Sequence, residues 1–136
     1  MPRLEKQGVT LIEMLVIIIL IGILASVGIV NYSKTKEHAL GKEAQANLKL
    51  IAAAEKIYRL ETSSYYVDPT DITEINSVLK LALPVSNGNW TYDISGTETT
   101  FTATAARGGS IGPYSGCNYT ITEGVSEPSP TSGTCP

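Results

Sequence analysis

The chain has 136 residues, 43% hydrophobic and 17% charged, and its 10 basic and 13 acidic residues give a net charge of −3. That length suits one modest domain, and a balance of this sign leaves no strong basic surface, which argues against a dedicated nucleic-acid binder. Apolar residues are densest in the first thirty positions, whereas the C-terminal half is rich in Thr, Ser, Gly and Pro.

The chain opens on a short polar segment, MPRLEKQG, that carries two bases. An apolar run over 9–30 comes next, and Glu13 is the only charged residue between Lys6 and Lys34. A secretory signal has a 7–15-residue apolar core and a small-residue cleavage site, which Ser26-Val27-Gly28 would supply, but the run continues past that point. A single-pass anchor fits better, since about 22 residues at 1.5 Å each reach about 33 Å, against a hydrocarbon core of about 30 Å. Neither reading accounts for Glu13. An ionised side chain costs roughly 2.5–3.5 kcal/mol at the centre of a spanning helix and less near the interface, so one retained there marks a functional candidate.

Gly8 followed by Val9-Thr10-Leu11-Ile12-Glu13 and a long apolar helix resembles the type IV prepilin signature, shared by type IV pilins and type II secretion pseudopilins. Thr10, Leu11, Ile12, Gly22, Ile23, Leu24, Ala25 and Tyr32 also match the pattern, and the resemblance covers residues 8–32. It departs in two places: the family's usual first mature residue is Phe, here Val9, and the helix-bending Pro is replaced by Val30. The resemblance implies a leader over residues 1–8, cleavage after Gly8 by a membrane prepilin peptidase, and N-methylation of Val9. It also implies an inner-membrane precursor handled by an assembly machinery, then an extracellular or periplasm-spanning filament built as a helical homopolymer.

Cleavage would create a charged amine on Val9, one helical turn from Glu13. Neither charge can stay unpaired inside a bundle of apolar helices, because an isolated buried charge is very costly. Glu13 of an incoming subunit pairs with a neighbour's amine at only one axial offset, so it would set register while apolar side chains supply packing. A lone polar group fixes register in coiled coils by the same logic. Gly22 and Ser26 form a small-xxx-small pair that would let helices approach closely.

The helical pattern continues beyond the apolar run. Leu40, Ala44, Leu48, Ile51, Ala54 and Tyr58 recur at spacings of three and four, which is one face of an amphipathic helix. Gly41 is the weak point in a stretch otherwise dominated by good helix formers. One helix over Val9–Leu60 would be about 78 Å long. Lys34, Lys36, Lys42, Lys49, Lys56 and Arg59, with Glu37, Glu43 and Glu55 interspersed, read as a solvated face of that helix.

Residues 62–71 (TSSYYVDPTD) carry turn signals, and Asp71 is placed to cap a short helix through Ile72, Ile75, Val78 and Leu79 that stops at Pro84. Three strand-like runs come after it, at Trp90–Ser95, Thr99–Ala105 and Cys117–Thr122. The stretch 107–116 (RGGSIGPYSG) is too Gly-rich for regular structure. The resemblance implies an α+β fold in which the long helix, its apolar half over 9–30 in membrane or filament core and its remainder to 61, packs on a head of three or four antiparallel strands over 62–136. A head of that size is near the limit below which a core needs a staple. If the apolar segment directs the rest of the chain out of the cytoplasm, Cys117 and Cys135 reach an oxidising compartment and should pair, pinning the tail EPSPTSGTCP. A disulfide-bounded C-terminal segment is typical of pilins and less so of the major pseudopilins.

No enzyme site can be drawn from these residues. His38 stands alone on a charged helix, two Cys and one distant His make no metal site, and Asp93, Glu98, Glu123 and Glu127 are too scattered for a calcium loop. Asn89-Trp-Thr and Asn118-Tyr-Thr are sequons that matter only in a host that glycosylates them. No cofactor is expected. Three readings remain: a type IV pilus subunit, a secretion pseudopilin, and a membrane-tethered binding domain that never polymerises.

Overall fold

The structure, a computed structural model, describes residues 8–85, 89–108 and 114–135, and the side chains of all of these except 27–31. The expected leader, apart from Gly8, and the centre of the Gly-rich stretch lie outside the described residues, as does the Val30 side chain. The chain divides into two compact units between Lys36 and Glu37.

Helix α1, Leu11–Thr62, is 52 residues long and runs through both units. In the first unit its described apolar side chains meet no core among the described residues. Those of Leu11 to Leu24 are between 42% and 84% exposed, a pattern no isolated chain in water sustains cheaply. The helix ends where Ser63 turns left-handed (φ 68°) and returns its N–H to the Arg59 carbonyl at 2.8 Å. The Thr62 hydroxyl donates to the Tyr58 carbonyl at 2.9 Å and satisfies another terminal acceptor.

In the second unit, the remainder of α1 is followed by α2 (Ile72–Val78), β1 (Trp90–Thr97), β2 (Thr100–Arg107), β3 (Asn118–Thr122) and β4 (Ser129–Ser132). The strands form one antiparallel sheet in the order β1-β2-β3-β4, the meander that short connections favour. Period-two alternation puts Trp90, Tyr92 and Ile94 of β1, Phe101, Ala103 and Ala105 of β2, and Tyr119 and Ile121 of β3 into the core. Ala44, Leu48, Ile51 and Ala54 of the expected stripe on α1 join the same cluster, Tyr58 packs half-buried against it, and Leu40 is half-buried outside it. Asn47 on that helix donates to the Tyr92 hydroxyl at 2.7 Å. The result is the expected α+β arrangement.

Asp71 caps α2 as expected, its Oδ1 accepting from the Glu74 N–H at 2.9 Å. The helix stops at Val78, ahead of the expected stop at Pro84, because Lys80 adopts a left-handed conformation (φ 54°) two residues later. Between α1 and α2 the chain runs along the outer edge of β1, with the N–H groups of Tyr65 and Asp68 donating to the Glu98 and Ile94 carbonyls, each at 3.0 Å. At the β1–β2 hairpin Gly96 has φ 149°, and a Cβ there would lie 2.3 Å from the Thr100 carbonyl oxygen, so only glycine fits.

The C-terminal tail is more ordered than its Pro/Ser/Thr composition suggests. β4 pairs with β3 through Asn118↔Ser132, Tyr119↔Pro130 and Thr120↔Ser129, with a register shift between Asn118 and Tyr119. Cys117 and Cys135 form a disulfide with a Cα–Cα distance of 5.1 Å across a sequence separation of 18, and this holds the tail on the sheet.

Candidate functional site

Among the described residues no helix is long and apolar enough to cross a membrane, and within the span expected over 9–30 the side chains are described only as far as Ser26. The entrance to that run is described in full. Gly8 is exposed, with open space where a side chain would be, and Val9 is also exposed. Thr10 precedes the first helical residue, and its hydroxyl accepts from the Glu13 N–H at 3.3 Å while Glu13 Oε2 accepts from the Thr10 N–H at 3.4 Å. The backbone N–H groups of Glu13 and Met14 both donate to the Thr10 carbonyl, at 3.1 and 3.2 Å.

This is a capping box: the residue before the helix and the acid three positions on satisfy each other's orphan donors. The sequence signal for it, T-x-x-E at 10–13, is plain, although attention to the charge of Glu13 alone passes over it. The carboxylate also lies at the positive end of the helix dipole, which favours it there. Glu13 therefore has a local partner and remains exposed, so the same group is open to a further donor.

Gly22 also faces open space, and the Ser26 hydroxyl donates to the Ile23 carbonyl at 2.8 Å within its own helix. The Ser26 hydroxyl in the small-residue strip expected at 22 and 26 is thus satisfied within its own helix.

In the head, two features depart from the solvated helix face expected for α1. Glu55 is wholly buried, 0% exposed, between Ile51 and Tyr58 on the core stripe. Its Oε2 accepts from the Tyr66 N–H at 3.0 Å, and Oε1 has no partner among the described residues. Burial pushes its pKa up to about 7, against a smaller lowering effect of the Tyr66 hydrogen bond. The place of Glu55 in the three–four periodicity was the signal that it faces inward.

Glu37 takes part in the second. Arg107, the last residue of β2, donates from Nη2 and Nε to its two carboxylate oxygens at 3.2 and 3.4 Å and from Nη1 to the Asn89 carbonyl at 2.7 Å. The Arg107 side chain is only 8% exposed and lies 5.7 Å from the Trp90 ring centroid, so this pair is largely desolvated. Lys49–Glu127 and Arg59–Glu123 are more exposed ion pairs, at 2.7 and 3.0 Å, that tie α1 to the far end of the sheet. His38 is exposed, and no group of three or more acids, histidines or cysteines placed to hold a metal occurs among the described residues.

Residues 3–29 match the family model of the prokaryotic N-terminal methylation motif, a match that takes in Gly8, Val9, Glu13, Gly22 and Ser26. Over 64 residues, 47% of this chain, the sequence is 38% identical to the type IV major pilin protein PilA of Myxococcus xanthus, 28% of which is covered. Over 65 residues, 48% of this chain, it is 34% identical to the type II secretion system core protein G of Pseudomonas aeruginosa, 46% of which is covered. The corresponding Klebsiella pneumoniae protein is 33% identical over 61 residues, with 44% of it covered. No solved structure gives a significant match. The matches span less than half the length of each of these relatives, and within that limit the chain carries the N-terminal methylation motif and is similar to both a type IV pilin and type II secretion core proteins.

Proposed function

We propose that this chain is a structural subunit of a type IV pilus or a closely related filament. It is made as an inner-membrane precursor whose span runs through the first part of α1. A prepilin peptidase cuts between Gly8 and Val9 and the new N-terminus is methylated. The mature subunit polymerises with copies of itself, Glu13 pairing with a neighbour's Val9 amine. The observation that carries this reading is the exposed apolar surface of α1 from Leu11 to Leu24, with one carboxylate at its mouth. Such a surface must be covered, first by lipid and then by other helices, and the acid selects the axial offset at which that happens.

A pseudopilin of a type II secretion apparatus is the second reading, favoured by the likeness to the core protein G sequences. The Cys117–Cys135 bridge supports the pilus reading, because a disulfide-bounded C-terminal segment is more typical of pilins. The test is to shear the cell surface, purify the released material, and take an intact mass with N-terminal fragmentation. Filaments made of chains that begin at N-methylated Val9, with the disulfide intact, are expected. Chains beginning at Ile29 in a soluble fraction would overturn the proposal.

A further inference from the structure

Helix α1 carries a second apolar stripe in the head unit, on the side away from the core. Ala46, Leu50, Ala53, Ile57 and Leu60 are all exposed, and their spacings of four, three, four and three are those of a coiled-coil seam. At about 100° per residue, Leu50 lies roughly 160° around the helix from the buried Leu48. Leu50, Ile57 and Leu60 are 53%, 59% and 86% exposed, although each sits on a well-formed helix beside an otherwise ordinary polar surface. A groove of about 340 Å³ runs along one flank, lined by Leu50, Ala53, Ile57 and Glu61 and closed by the Val78–Leu81 segment at the end of α2.

We infer that this stripe is where a second copy of the same chain docks, helix parallel to helix and in register. With Leu50 and Ile57 at the first seam position and Ala46, Ala53 and Leu60 at the second, Lys56 falls on one flank and Glu61 on the other. In a parallel pair each flank base faces the acid five residues further along its partner, so Lys56 of one copy meets Glu61 of the other, twice over by symmetry. Both side chains are exposed, and neither is in an ion pair among the described residues. The stripe is therefore complementary to itself in charge, with apolar side chains at both seam positions. Pairing through it leaves the heads on the outer sides, because the core stripe lies on the opposite face of the helix.

The seam is short, under three heptads' worth of contacts, so it is too small to hold two free heads together. It becomes effective when α1 already confines both copies to one membrane with one orientation, which raises their effective concentration. In that respect the inference rests on the proposed function. Paired subunits waiting in the membrane would be the consequence, distinct from the staggered contact that Glu13 sets in a filament.

The test uses the full chain in native membranes, in the Glu13→Ala background so that polymerisation does not contribute. Ile57→Cys and, separately, Ala53→Cys are oxidised with copper phenanthroline, with Thr73→Cys on α2 as an exposed control. Covalent dimers at both stripe positions, about tenfold above the control, are expected, because facing seam residues stay within disulfide reach whereas chance collisions do not. Lys56→Glu should cut the yield about two- to fivefold, and adding Glu61→Lys should restore it. Yields equal to the control, a yield indifferent to both charge changes, or cross-linking to a different protein instead of a second copy would each overturn the inference. Trp90 fluorescence of each variant verifies that the head is folded. If Glu13→Ala still forms filaments, it is the pairing role proposed for Glu13 that fails, and the cross-linking is then read on the membrane fraction left after the filaments are sheared off.

Discussion

Glu55 Oε2 accepts a hydrogen bond from the Tyr66 N–H at 3.0 Å, while Oε1 meets no donor among the described residues. A buried carboxylate satisfied on one side only is held more comfortably neutral than ionised. Its pKa is about 7 in the folded chain against an ordinary value of 4.5, so the folded state holds this proton more tightly than the unfolded state does. Stability is therefore lost as pH rises between those two values, and the full cost applies above the higher one. Glu55→Gln removes that dependence. Between pH 5 and pH 8 the stability of the variant relative to the parent should improve by about 2–3 kcal/mol. Urea unfolding of the head at both pH values, followed by the fluorescence of Trp90, measures it.

Glu74 works with the opposite sign. Hydrogen bonds, first of all from the Thr70 hydroxyl, hold its pKa down at about 2 from an ordinary 4.5. Its contribution is present above the ordinary value and disappears as pH falls through the lower one. Thr70→Val deletes that hydroxyl, so the variant should lose less stability than the parent on acidification from pH 5 to pH 2. Acid titrations of the two proteins followed by circular dichroism would show the separation.

The Cys117–Cys135 ring should stabilise the head by about 3 kcal/mol in the chain-entropy model. The double substitution Cys117→Ser/Cys135→Ser should lower stability by about that much. Every β4 residue is exposed, so β4 has no core contacts to retain it once the bridge is gone. Amide exchange should then lose protection at Ser129–Ser132 first, while the β1–β2 ladder stays protected.

Glu13 makes a capping contact and has a proposed pairing role, and one pair of variants separates the two. Glu13→Gln keeps a capping-box acceptor for the Thr10 N–H but removes the charge. Glu13→Ala removes both. If charge pairing between copies drives assembly, both variants should insert and both should yield at least about tenfold fewer sheared filaments, since a lost buried pair costs more than 1.4 kcal/mol. Wild-type yields from Glu13→Gln would assign the residue to helix capping alone. A membrane-tethered binding domain would keep its activity in both variants.

The long helix, the core stripe and the Asp71 cap were legible because each rests on local periodicity or on one side chain bonding to nearby backbone. Glu55 carried a positional signal, its place in the three–four spacing, that its charge masked, whereas Glu37 carried none, because a carboxylate on a helix rich in Lys and Glu reads as solvated until tertiary contacts are known. Arg107 was hidden by its neighbours: it opens the Gly-rich stretch 107–116, yet it ends β2 with its guanidinium largely buried. β4 has no alternation to read. It exists because the Cys135 bridge and the open edge of β3 bring an otherwise structureless tail into register.

Both edges of the sheet carry features that discourage further pairing. The Asp68 N–H occupies the Ile94 carbonyl of β1 and the Tyr65 N–H that of Glu98 in the hairpin turn, and β4 is short, carries Pro130, and meets β3 through a shifted register. Exposed strand edges template pairing with other chains, and proline, short strands and covering loops suppress it. In a polymer of this chain the heads would be crowded at high local concentration for the lifetime of the fibre. Blunted edges would keep such a crowd from fusing by strand exchange, so each head would remain a separate folding unit.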